Sequence, residues 1–132
     1  MRRRLFALAA LPLLAGCEAL TLMRLQDEPV RVVFFNEDSA ELDAPAREVV
    51  RSAARAAARH PSARVNVFGY AGPAGGLAYN RALSEQRARH VAELLREMGV
   101  AGERVFVVPR GPVPFEAAPI ESRRVEIRLV AG

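Results

Sequence analysis

Between Arg64 and Met98 the apolar residues change period, and this change constrains the fold more than any other feature of the chain. Arg64 to Tyr70 (RVNVFGY) alternates, as a half-buried strand does. A loop with Pro73, Gly75 and Gly76 follows. Leu83, Val91, Leu94, Leu95 and Met98 then recur at helical spacing and predict a helix over roughly 77–98. Gly99 ends it, and Val100 supplies the apolar contact of a C-cap.

The same two periods recur on either side. Val30 to Phe35 (VRVVFF) is β-branched and aromatic, which predicts a strand. Asp43 can cap a helix whose first turn tolerates Pro45. Ala46, Val49, Val50, Ala53 and Ala57 mark its inner face, and His60-Pro61 stops it. Arg104 to Val108 reads as a third strand. Gly111 to Pro119 carries three prolines and is expected to be irregular. Val125, Ile127 and Leu129 alternate with charged residues in a fourth strand. The order β-α-β-α-β-β predicts an α+β sandwich with two helices on one face of a mixed four-stranded sheet.

The first seventeen residues stand apart. Arg2, Arg3 and Arg4 precede an apolar run, Leu5 to Leu14, too short to span a bilayer as a helix. The run ends in Leu14-Ala15-Gly16-Cys17, which resembles the lipobox of bacterial lipoproteins. That resemblance implies cleavage before Cys17 and acylation of its thiol, with palmitate-type chains as the anchor. Residues 1–16 are then a signal peptide, 17–29 a lipidated tether and 30–132 the folded domain. Glu18 follows the cysteine where an inner-membrane lipoprotein commonly keeps aspartate. The expected location is therefore the outer membrane, facing the periplasm.

Cleavage also removes three of the arginines. Sixteen remain against fifteen carboxylates, so net charge gives no case for a nucleic-acid partner. Cys17 is the only cysteine and has no disulfide partner in the chain. His60 and His90 have no third ligand at metal-site spacing, and Ser84 has no histidine partner at triad spacing. Neither a metal, a cofactor nor an enzymatic activity is expected.

Three segments in order carry a family resemblance. GYAGPAGGLAYNRALSEQRA, Gly69 to Ala88, follows the pattern G-H-T-D-x-x-G-x-x-x-Y-N-x-x-L-S-x-x-R-A-x-x-V, with Gly69, Gly75, Tyr79, Asn80, Leu83, Ser84, Arg87, Ala88 and Val91 in place. VFFNEDSAEL resembles V-x-F-D-F-D-S-A-x-L, and SRRVEIRL resembles N-R-R-V-E-I. On these residues the chain resembles the OmpA-like peptidoglycan-binding domain of the peptidoglycan-associated lipoprotein type, over about Val30 to Val130.

The resemblance implies a fold, a ligand and a site. The ligand is the diaminopimelate of the peptidoglycan stem peptide. In the family an aspartate and an arginine hold opposite ends of it. A guanidinium can grip a carboxylate through two parallel bonds, while an aspartate answers the ammonium. Arg87 stands at the arginine position. Gly72 stands at the aspartate position, fifteen residues earlier, with Tyr70 and Ala71 in place of His and Thr. Asn36 replaces an acidic residue, Glu37 an aromatic one, and Ser122 the asparagine before Arg123 and Arg124. The candidate ligand set is Arg87, Asn36, Gly72, Asn80, Ser84 and Arg123, with Glu37 a candidate replacement carboxylate. The expected partners are peptidoglycan and, through the lipid, the outer membrane. The expected site is weakened. The alternative is an OmpA-like domain that has lost wall binding and contacts envelope proteins. Arg47, Arg51, Arg55 and Arg59 form an i, i+4 stripe on the first helix, read as a solvated face rather than a contact for anionic lipid.

Overall fold

The structure is a computed structural model that describes residues 23–72, 76–112 and 122–132. The signal segment, Cys17, residues 18–22 of the tether, Pro73 to Gly75 of the loop before the second helix and residues 113–121 lie outside the described residues. The elements run β1 (Arg31–Phe34), α1 (Ala44–Arg59), β2 (Arg64–Ala71), α2 (Leu77–Glu97), β3 (Val105–Pro112) and β4 (Arg124–Val130). Short 3-10 turns precede β1 and β3.

The sheet order is β1-β4-β2-β3. β4 lies between β1 and β2 and is antiparallel to both, whereas β2 and β3 are parallel. Val33, Val65, Val67, Val125 and Ile127 point inward and are fully buried. From α1 come Val50, Ala53 and Ala57, and from α2 Ala88, Val91 and Leu95, all in the same core. Both helices therefore cover one face, the expected architecture.

Local chemistry accounts for the ends of the helices. Asp43 accepts the Ala46 N–H at 2.9 Å, satisfying a donor that the first helical turn leaves unpaired. At the C-terminal end of α2, Gly99 takes φ +100°, a conformation glycine adopts without steric cost. The Val100 N–H then bonds Leu95 O and the Gly99 N–H bonds Arg96 O, both at 3.0 Å, and Val100 is buried. This is the paired closure of a Schellman motif.

Two expectations need correction. β3 does not stop at Val108 but continues to Pro112, with Ala71 opposite Pro112 and a register shift at Gly69/Tyr70. Its prolines are tolerated because β3 is an edge strand, where one side of the backbone needs no ladder partner. The packed chain also begins earlier than Val30. The Glu28 side chain is 1% exposed and accepts from Arg31 at 3.0 Å and Arg59 at 2.9 Å, with His60 Nε2 at 3.0 Å. Burial alone would raise its pKa; the bonds from Arg59, Arg31 and His60 outweigh burial and lower it. Glu28 thus ties the incoming chain to β1 and to the end of α1.

Gly69 explains how closely α2 lies on the sheet. A Cβ there would sit 2.1 Å from Ser84 O and 3.0 Å from the Ala88 Cβ. Only glycine lets β2 and α2 approach this far. The contact fixes where Ser84 and Arg87 sit relative to the end of β2.

Candidate functional site

The ends of β1 and β2, the start of β4 and the first turns of α2 meet at one end of the sheet. In the ladders Phe34 lies opposite Arg124, and Gly69 opposite Val125, so Asn36, Gly72 and Arg123 all follow from register to that end. Arg87 is at its centre and is fully buried. Its Nε donates to Ser39 O at 2.7 Å, one terminal nitrogen to Asn36 O at 3.0 Å and the other to Tyr70 O at 3.4 Å. The guanidinium also lies 5.2 Å from the centroid of the Phe35 ring.

Arg87 is therefore a clamp. It joins the loop after β1 to the end of β2 from a position on α2. Holding a charge there is costly. Burial, then the nearby positive charge of Arg123, brings its pKa down to about 10, against the pull of Tyr79 and Asp38.

The other expected residues divide into two groups. Asn80 and Ser84 are packed inside, at 4% and 0% exposure. Ser84 Oγ donates to Arg81 O at 2.9 Å, a bond within the helix. Neither presents side-chain surface to a ligand in this conformation. Asn36, Gly72 and Arg123 lie nearer the solvent. Asn36 is exposed, but its contribution is the backbone carbonyl on Arg87. Arg123 is half-buried, with Nε donating to Phe35 O at 3.2 Å, while the Phe35 N–H bonds Arg123 O at 2.9 Å. Gly72 is half-buried, and among the described residues a Cβ on it would meet one atom within 4 Å, Ser122 Oγ at 3.2 Å. Its φ is not in the left-handed range, so a side chain is conformationally permitted there.

Two residues that sequence reasoning passed over stand at the rim. Asp38 is exposed and has φ +52°. Its Oδ1 accepts the Tyr79 hydroxyl at 2.9 Å, which links the loop after β1 to the first turn of α2. The signal was present in the sequence: Asp38 falls on the second aspartate of the resembled D-F-D-S, and Tyr79 on its tyrosine. Glu37 is exposed, on the same turn. Along α2 an open groove of about 560 Å³ begins at Asp38 and continues past Arg47, His90 and Glu93 to Glu97. None of the six expected ligand residues lines it. His90 Nδ1 is 2.7 Å from Ala40 O. Among the described residues, no three His, Cys, Asp or Glu side chains are arranged to hold a metal ion. The arginine stripe of α1 is partly committed, Arg51 to Glu48 and Arg59 to Glu28.

A family model, described as the OmpA family, matches residues 34–125, the span that contains this whole constellation. The chain belongs to the OmpA family. Among its curated relatives, a peptidoglycan-associated lipoprotein of Legionella pneumophila is 35% identical over 102 residues, which cover 73% of this chain and 58% of the relative. The peptidoglycan-binding protein ArfA of Mycobacterium tuberculosis is 36% identical over 101 residues, 72% of this chain and 31% of ArfA. The matched region thus spans 58% and 31% of these relatives' length, under two thirds in both. Among solved structures, the peptidoglycan-associated lipoprotein of Burkholderia pseudomallei superposes with a TM-score of 0.69 at 24% identity, covering 76% of this chain and 90% of that one. The C-terminal domain of Helicobacter pylori MotB gives 0.65 at 22% identity, covering 76% and 83%. These likenesses carry the OmpA-like fold.

Proposed function

We propose that this chain is an outer-membrane lipoprotein, acylated at Cys17, whose OmpA-like domain binds the diaminopimelate stem of peptidoglycan non-covalently through a weakened site. The supporting observation is the convergence at one end of the sheet. The motif residues that persist in sequence form one built assembly around Arg87, with Arg123 beside it and Gly72 open above Ser122. Relatives named for peptidoglycan association or peptidoglycan binding support the same reading. Arg87 shapes this site more than it touches ligand, and Arg123 is the guanidinium within reach of a carboxylate. At Gly72 the site lacks the family's anion, which weakens the grip on an ammonium.

Gly72→Asp tests this directly. The backbone accepts a side chain, and the nearest atom among the described residues is the Ser122 hydroxyl, which can rotate. Binding of sacculus fragments should tighten by about 1–3 kcal/mol, the scale of a charge-assisted contact. Calorimetric titration that finds no binding by either protein would reject the wall as ligand and favour the envelope-protein alternative. The anchor has its own test. Cys17→Ser should release the protein from the detergent-soluble membrane fraction, and membrane retention at high salt would refute lipidation as the only attachment.

A further inference from the structure

We infer that the face of the sheet left open by the helices docks on a membrane surface containing anionic phospholipid, through Arg64, Arg110, Arg124 and Arg128. The inference rests on the lipoprotein reading, which keeps the domain beside a bilayer, and not on wall binding. Alternation fixes which side chains lie on this face. Val65, Val67, Val125 and Ile127 point into the core, so Phe68, Tyr70, Arg124, Glu126 and Arg128 stand on the other side. Glu126 is the one carboxylate in the four strands. It is paired with Arg124 at 3.2 Å and with Arg128 at 2.9 Å. Arg64 and Arg110 are exposed and, among the described residues, have no carboxylate partner. The open face therefore sets four guanidiniums against one carboxylate.

These arginines are laid on aromatic rings. The Arg64 guanidinium lies 3.9 Å from the centroid of Phe106, and that of Arg124 lies 4.2 Å from the centroid of Tyr70. Arg110 and Arg128 lie 5.0 and 5.7 Å from the centroid of Phe68. A stacked guanidinium keeps its in-plane N–H donors for another partner, and a phosphate can take two of them at once. The stacking also occupies ring faces that a sugar or a nucleobase would need. A second copy of the chain is a poor occupant, because a two-fold contact through this face would set arginines against arginines. A bilayer supplies the missing charge as many phosphates in one plane. Phe34 lies opposite Arg124 in the β1–β4 ladder and so shares the face. The rings of Phe34 and Phe106 are exposed and add apolar area suited to the boundary between headgroups and acyl chains. Residues 18–23 are all that separates an acylated Cys17 from the first turn at Arg24, so the anchor holds this face at high effective concentration near the headgroups.

The chain contains no tryptophan, so a single one can report on either layer. Phe34→Trp places it on the open face, and Ala58→Trp at an exposed position of α1. The acylated mature chain is reconstituted into vesicles of phosphatidylcholine with brominated acyl chains, with and without phosphatidylglycerol. With phosphatidylglycerol present, the Phe34→Trp emission should be quenched and the Ala58→Trp emission should not. High salt should relieve the quenching. Adding Arg64→Gln or Arg110→Gln should lower the ratio of docked to free domain by about fivefold each. Arg55→Gln, on α1, should leave it unchanged. A Phe34→Trp emission that stays unquenched while the chain remains on the vesicles overturns the inference and leaves the anchor standing. Quenching of Ala58→Trp instead gives the bilayer to the arginine stripe of α1, and equal quenching without phosphatidylglycerol removes the role of charge; either result overturns the inference. So does an emission from Phe34→Trp that shifts with protein concentration in the absence of lipid, which would give the face to a second copy. A chain that leaves the vesicles overturns the lipid anchor, and this inference with it.

Discussion

Arg87→Ala should unfold more than it unbinds. The side chain is fully buried, and two of its three carbonyl contacts are short, 2.7 and 3.0 Å. Hydrogen bonds from a charged donor are each worth about 1.5–3 kcal/mol. Truncation removes both, leaves Asn36 O, Ser39 O and Tyr70 O short of a donor, and opens a cavity against Phe35. The cost of burying the guanidinium, visible in its lowered pKa near 10, offsets part of this. We expect a net loss of about 3–5 kcal/mol, a large share of the 5–15 typical of a domain. In urea the midpoint should fall by roughly 1 M or more at an ordinary slope of about 1–3 kcal/mol/M. Arg87→Met fills the cavity without donors and should recover only part of the loss. A midpoint within about 0.3 M of the parent for Arg87→Ala would refute the clamp and return Arg87 to the role of ligand contact. The distinction matters for binding assays, because loss of affinity in Arg87→Ala is uninterpretable until the variant is shown to be folded.

Two further predictions concern stability. Gly69→Ala places a methyl carbon 2.1 Å from Ser84 O and must push α2 off β2, costing about 1–3 kcal/mol or more, read as a lowered melting temperature. Glu28 has a folded pKa below its unfolded value, so the unfolded state binds its proton first; its contribution is present at neutral pH and disappears as pH falls below the ordinary carboxylate range. The parent should lose stability through that window more steeply than Glu28→Gln, which should be weaker at pH 7 by about 1–3 kcal/mol. Parallel pH profiles for the two proteins would refute the role of Glu28.

Much of the fold was legible because periodicity and caps are local. Asp43, Gly99 and Val100 announce the helix ends through chemistry within a few residues, and the structure uses them so. β3 was read short because Pro109 and Pro112 look like breakers until the strand is known to be an edge. Glu28 was read as tether because its three partners lie up to 32 residues away. At the site, register alone brings Asn36, Gly72 and Arg123 to one end. Burial then separates what spacing could not. Arg87 and Ser84 share a motif with the other expected ligand residues, yet both are enclosed. Asp38 keeps the aspartate of the resembled pattern, but its bond to Tyr79 spans 41 residues and no local pattern announces it.

The direction of β1 sets the posture of the whole protein. The chain enters at Arg31, opposite Ile127 at the middle of β4, and leaves β1 at Phe34, opposite Arg124, so the point of entry and Arg87 lie toward opposite ends of β1. Glu28 welds the entry end to α1. With Cys17 acylated as proposed, six residues separate the lipid-bearing cysteine from Arg24, where the first turn begins. Fully extended, that leash reaches only about 25 Å. The domain would then stand close to the bilayer, and the depth at which it can meet the wall would be set by its own height more than by slack in the chain.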